Sequence, residues 1–363
     1  MKFDLFYELS VPAALARDES AVFFDALTEL ELADSLGFNG AWLVEHHFMR
    51  GYSHSSAPEL FLAAASQRTT RLRLGHGIIP LPYNHPVRVA ERLATLDILS
   101  RGRLEFGMGR GFSPKEYASF GVAMAASRQI TQEALDIIRL SFQHAPVSYQ
   151  GQHFTLDQID VLPKVVQRPH PPIWTAAVSP ETYELAAQQG IGALAGPFKP
   201  WFMVAEDIKL YRRAWQATHG NTTATPGQNN RVGMTVGILC LHDAKRARAI
   251  AKPAFEWFYR ELFAQTLPVL QKLYDSYEYY RKMGRFHGLI GPAVNLKVLE
   301  TLGMVIVGNP QHCIERLEKL RAAGVDHVLC AIGAGAVPTD VVRESMHVLA
   351  SDVMPHFATD ARA

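Results

Sequence analysis

The run Trp42-Leu43-Val44-Glu45-His46-His47-Phe48 sets a carboxylate beside two adjacent imidazoles at the end of an apolar strand. Histidine is the side chain that titrates nearest neutrality, so such a cluster can act as base, hydrogen-bond donor or metal ligand. In parallel α/β folds the loops after the C-terminal strand ends form the active face, and this cluster falls at such an end.

Two further stretches suit an anion. In Phe106-Gly107-Met108-Gly109-Arg110-Gly111-Phe112, alternating glycines let a ligand approach the main chain, and Arg110 offers a planar fork that matches phosphate. The third glycine comes too early for a dinucleotide fingerprint and no acidic residue occurs at the required distance, so that reading is rejected. In Val178-Ser179-Pro180-Glu181-Thr182, Ser179 stands as a helix N-cap, Pro180 as the first helical residue and Thr182 as a hydroxyl on the first turn. Free amides and hydroxyls at a helix start attract anions. With Arg110 on the neighbouring strand of the same face, they form a candidate phosphate clamp. Upstream, Gly75-His76-Gly77-Ile78 ends a strand with small residues that let a flat ring lie on the main chain, and prolines on both sides of Leu81 stiffen the loop beyond it. His85 reads as the cap of a helix begun by Pro86.

These residues need a scaffold, and the chain alternates strand-like and helix-like segments from its start. Strands are predicted at Phe3 to Tyr7, Gly40 to Val44, Leu72 to Ile79, Arg103 to Gly107, Ile173 to Ala177, Ala193 to Ala195, Val232 to Leu241 and Val325 to Ile332, with helices between them. Eight such units predict an α/β fold, a (β/α)8 TIM barrel with insertions, as one domain over residues 1–363. Two segments break the rhythm. One, near residues 146–172, reads as an excursion with a small hairpin. The other, near residues 242–304, is helical and rich in aromatics, among them Phe255, Trp257, Phe258, Phe263, Tyr274, Tyr277 and Phe286. It reads as an extra layer on the barrel or on a second subunit, or as a lid over a substrate pocket.

Composition removes several function classes. With 36 basic and 35 acidic residues the net charge is +1, which gives no field for nucleic acid or an anionic membrane. No apolar run is long enough to span a bilayer, and the N-terminus lacks a signal peptide's features, so the expectation is a cytoplasmic protein. Three scattered cysteines, Cys240, Cys313 and Cys330, argue against both disulfides and a zinc cluster, and no metal is expected.

The joint occurrence of Glu45-His46-His47, Leu81-Pro82 with His85-Pro86-Val87-Arg88, Gly109-Arg110-Gly111, Gly308-Asn309-Pro310 and Arg321-Ala322-Ala323-Gly324-Val325-Asp326 resembles the bacterial luciferase-like flavin-dependent monooxygenases. The resemblance implies that reduced FMN binds in the barrel mouth and reacts with O2 to a flavin peroxide, which passes one oxygen atom to a small organic substrate. By the same resemblance His46 is the catalytic imidazole, Arg110 the phosphate arginine, and Ser179 and Thr182 the phosphate hydroxyls. Gly109 adjoins that arginine, and an unusual cis peptide, with a bulge under the flavin ring, would fall at Gly77-Ile78. The roles of Glu45 and His47 are left open: Glu45 is not assigned to catalysis, since a carboxylate there can simply orient an imidazole, and His47 can equally be a structural partner. Reducing equivalents would come from a separate NAD(P)H:flavin reductase, and a homodimer is expected. Light-emitting members carry an acidic residue at the position of Val178 and a cysteine at that of Gly109, which puts light emission in doubt. Two alternatives stay open: hydride transfer with a deazaflavin coenzyme, and flavin binding without turnover.

Overall fold

A computed structural model describes residues 1–13, 18–220, 225–273, 294–335 and 337–358. Tyr274, Tyr277 and Phe286 lie outside the described residues.

The first strand, β1 (Lys2–Tyr7), is flanked by β2 (Gly40–Leu43) and by the last strand, β12 (His327–Ala331). From β2 the wall continues through β3 (Arg73–His76), β5 (Leu104–Gly109), β8 (Ile173–Ala176), β9 (Gly192–Ala195) and β10 (Val232–Cys240), which pairs with β12 and closes the ring. All these pairings are parallel, and the eight strands form a closed barrel with helices outside. Helices α1 (Glu19–Leu36), α2 (Pro58–Arg68) and α3 (Pro86–Leu99) link the first four strands of the wall, and α7 (Trp201–His219) links β9 to β10. The predicted strands thus occupy the barrel wall. Their inner faces carry bulky side chains, among them Trp42 and Trp174, whose rings meet edge to face at 5.4 Å, so the barrel floor is packed solid.

Beneath that layer a buried polar network ties first strand to last. Asp4 accepts from Asn39 Nδ2 at 2.7 Å and Trp42 Nε1 at 3.0 Å, and lies 2.8 Å from His327 Nδ1. Burial opposes the Asp4 charge, but His327 and the two donors outweigh it and hold the carboxyl below its ordinary pKa.

The third strand is not continuous. β3 pairs with β5 through Gly75 opposite Glu105, whereas the short β4 (Ile79–Pro80) pairs through Ile79 opposite Met108. Four steps on one side face three on the other, so His76-Gly77-Ile78 holds one extra residue and forms a bulge. The bulged carbonyl of His76 overlies Gly107, where a β-carbon would sit 1.9 Å from that oxygen. The expected cis bond is corrected. Among the described residues the cis bonds are Leu162–Pro163 and Arg168–Pro169, and Gly77–Ile78 is trans. Without a following proline the trans form is strongly favoured; just before it, the Gly77 N–H donates to Leu43 O at 2.7 Å.

A ninth parallel strand adds to the eight expected. β11 (Val305–Gly308) pairs with the second half of β10, beyond the residues that β9 occupies. Within the predicted excursion, β6 (Val147–Gln150) and β7 (Thr155–Ile159) form an antiparallel hairpin. In the aromatic segment, helix α8 (Ala244–Leu273) packs on β10 and β11 as a barrel helix. Phe255, Phe258 and Phe263 are buried in the core, so these rings line the barrel wall rather than a lid.

Candidate functional site

At the C-terminal strand ends lies a cavity of about 860 Å³, lined by His46, Gly77, Ile78, Gly109, Arg110 and Thr182 among others. Ser179 stands just behind it. Its hydroxyl is 3.0 Å from that of Thr182, which faces the cavity. Six of the seven residues singled out from the sequence therefore share one space, and the seventh touches it through a neighbour.

Each part is held by its element. Arg110 follows directly on β5, and its main-chain oxygen accepts from the Tyr117 hydroxyl. Among the described residues its guanidinium makes no ion pair or hydrogen bond, so its fork is free for a ligand. Ser179 occupies the N-cap position of α6 (Pro180–Gln188), but its side chain makes no cap bond and turns to Thr182 instead. The loop between β8 and α6 is braced from below, where buried Lys199 donates to Val178 O at 2.8 Å and pairs with Asp207. At the rim, Arg128 and Glu181 form an exposed ion pair at 3.4 Å between helix α5 (Ser127–Ser141) and the first turn of α6. His85 also occupies an N-cap position, but its side chain does not cap; its ring lies edge-on to Phe154 at 5.8 Å.

The two histidines part company. His47 Nε2 lies 3.3 Å from Glu45 Oε1, and the same oxygen accepts from Asn84 Nδ2 at 2.8 Å, so Glu45 orients His47. His46 lies between two carboxyl groups that sequence reasoning missed. Its Nδ1 is 3.5 Å from Glu116 Oε1 and its Nε2 is 3.8 Å from Glu8 Oε2. Glu116 sits on the short helix α4 (Pro114–Ser119), whose Ser113-x-x-Glu116 opening has the spacing of a capping box. Ser113 caps Glu116 N at 3.3 Å, yet the carboxylate turns inward, accepting from His47 N at 2.8 Å and Tyr83 OH at 2.7 Å. Glu8 carries one available signal: it is the residue directly after the first strand, on the same barrel end as His46.

Electrostatics follow from this packing. Burial opposes the His46 charge, but Glu8 and Glu116 outweigh it and raise the imidazole above its ordinary pKa. Burial likewise opposes the Glu116 charge, but His46, the His47 N–H and the Tyr83 hydroxyl hold that carboxyl below the usual range. For Glu8 burial prevails, and its pKa is raised despite His46, Tyr52 and Ser53.

A family profile described as luciferase-like monooxygenase matches residues 1–327. The chain is 27% identical over 363 residues to the alkanal monooxygenase alpha chain of the Kryptophanaron alfredi symbiont, covering 98% of each. Among solved structures, monooxygenase RslO1 from Streptomyces bottropensis superposes with a TM-score of 0.83 at 28% identity, over 99% of this chain and 100% of that one. The oxygenating constituent of 3,6-diketocamphane monooxygenase of Pseudomonas putida, solved with FMN, shares the fold with a TM-score of 0.78 at 18% identity, over 98% of each chain.

Proposed function

Since this chain belongs to the luciferase-like monooxygenase family, we propose that it uses reduced FMN and O2 to insert one oxygen atom into a small, largely apolar organic substrate. The observation that carries this reading is the unpaired Arg110 guanidinium in the same cavity as Thr182, the helix N-terminus of α6 and the bulge at Gly77–Ile78. A charged fork, hydroxyls and a helix start suit a phosphate, and an exposed bend of main chain suits a flat ring. A fold neighbour solved in complex with FMN supports a flavin as the ligand.

When bound, reduced FMN supplies the activation of O2. The chain's own residues do the rest. Arg110 and Thr182 hold the phosphate, and Ser179 fixes the Thr182 hydroxyl. Phe6, Phe112 and Phe198 line the cavity with apolar surface that keeps water from the reacting centre. His46 holds or moves a proton at Nε2. No described segment resembles a nicotinamide domain, so a separate NAD(P)H:flavin reductase is proposed to deliver the reduced cofactor.

The test combines binding and isotope incorporation. Anaerobic titration with reduced FMN and with a reduced deazaflavin coenzyme should show tighter binding of FMN. Turnover of a panel of ketones, aldehydes and terpenes under labelled O2 should place one labelled atom in the product. Preference for the deazaflavin with oxygen-independent turnover would assign hydride transfer instead, and flavin binding without any product would assign a binding protein.

A further inference from the structure

Glu8 follows β1 directly and lines the cavity beside His46. Its Oε1 accepts from the Tyr52 hydroxyl at 3.0 Å, and its main-chain oxygen accepts from the Ser53 hydroxyl at 2.8 Å, so the residue is pinned. Its Oε2 is buried and, among the described residues, accepts no hydrogen bond; the nearest cationic group is His46 Nε2 at 3.8 Å. A buried carboxyl oxygen without a donor is costly as an anion and far less so as a neutral acid. Glu116, on the other side of the ring and 3.5 Å from Nδ1, accepts from two donors, His47 N and Tyr83 OH, and is stable as an anion. The two carboxyl groups flanking one imidazole are therefore unequal.

We propose that Glu8 shares one proton with His46, taking it from Nε2, so that the buried pair passes between a charged and a neutral form at the cavity wall. The Nε2–H bond of the imidazolium breaks and an O–H bond forms on Oε2. The ring's positive charge and the carboxylate's negative charge vanish together, and no electrons change hands. The Nδ1–H stays turned toward Glu116. A shift of about 1 Å brings Nε2 and Oε2 to hydrogen-bond distance. The total charge of the three side chains is unchanged, so the transfer needs no counter-ion from solvent.

The surroundings favour such sharing. Burial raises Glu8, and the two carboxylate neighbours raise His46 against its own burial, so the proton affinity of each depends on the charge of the other. The other groups facing the pair are committed elsewhere or neutral. Glu45 is taken by His47 and Asn84. The hydroxyls of Tyr52 and Tyr83 titrate far above neutrality because burial and carboxylate neighbours disfavour their anions. Glu261 raises the Tyr52 hydroxyl further.

This proposal rests on His46 being the acid–base group of the proposed monooxygenase, but its test needs no cofactor. In flavin-free protein the His46 ring signals, identified by their loss in His46→Gln, are followed against pH by NMR. The wild type should titrate in two steps, with a protonated-carboxyl C=O band in infrared difference spectra across the first. Glu8→Gln keeps the size and the Tyr52 contact; it should give one step, a midpoint lower by about one pH unit or more, and no such band. Glu8→Asp should restore both features. Tyr52→Phe, which keeps the carboxyl but removes a donor to it, should lower the midpoint by a smaller amount. A Glu8→Gln titration that matches wild type, or a carboxyl band that survives it, overturns the proposal; so does an unchanged midpoint in Tyr52→Phe if Glu8→Gln does not fold.

Discussion

Arg110 is a cation with no protein partner among the described residues, which means that its removal leaves no protein group unsatisfied. Arg110→Ala should therefore fold as the wild type does, while FMN affinity falls by about 1.5 to 3 kcal/mol. Riboflavin, which lacks the phosphate, should bind the variant and the wild type alike. An equal loss for both ligands in a binding titration would move the phosphate elsewhere. That Arg110, Ser179 and Thr182 would meet at one end of the barrel was legible because each belongs to a short run, a strand end or a helix start, whose local geometry already fixes its place. Glu8 and Glu116 were not. They meet His46 only because β1, β2 and the helix after β5 converge at one end of the barrel, and the carboxylate adjacent in sequence, Glu45, serves the other histidine.

At the level of elements, alternation of apolar strands with helices revealed the barrel wall, since each parallel strand needs a crossover helix. It did not reveal β11, whose Val305-Ile306-Val307-Gly308 is short and runs straight into the Asn309-Pro310 helix start. Nor could it reveal the direction of the aromatics on α8. A dense run of rings reads alike whether it covers a pocket or fills a core, and only the packing decides. Phe258 stacks on Tyr52 with ring centroids 5.4 Å apart and is fully buried. Phe258→Ala is accordingly expected to cost about 3 to 5 kcal/mol of stability and, at temperatures where it is folded, to leave the order of preference among substrates unchanged. Urea unfolding and a substrate panel check both halves. Among the described side chains of α8, Thr266 reaches the cavity. Gly107→Ala is the sharper structural test. Its methyl group would collide with the main chain of the bulge rather than with a movable side chain, so a loss of about 2 kcal/mol or more is expected in the same unfolding assay.

For the whole molecule, the Asp4 network decides how stability depends on pH. The Asp4 carboxyl has a folded pKa below its unfolded one, so its contribution is fully present above the ordinary carboxylate range and is lost as pH falls through the lowered value. Asp4→Asn should cost about 3 kcal/mol near neutrality, and the difference from wild type should shrink as the medium is acidified. Unfolding free energies measured along that range give the slope directly; a constant difference would mean that the charge of Asp4 carries none of the effect. Closure of the barrel itself was legible from eight strand units. The residues that seal it were not, because Asp4 and His327 come from the first and last strands and become neighbours only once the ring is shut.

The bulge between β3 and β4 amounts to a single surplus residue, and a surplus can be deleted as well as substituted. Removing Ile78 would let the third strand run in step with β5, draw the His76 carbonyl back into the ladder and lift it off Gly107. The penalty of Gly107→Ala should then fall in the deletion background, so that the two changes together unfold more easily than the deletion alone by less than Gly107→Ala costs the wild type. The same deletion would flatten the floor of the cavity. A chain built on this barrel would thus gain or lose the proposed cofactor seat by one codon, without altering any residue proposed to hold the phosphate.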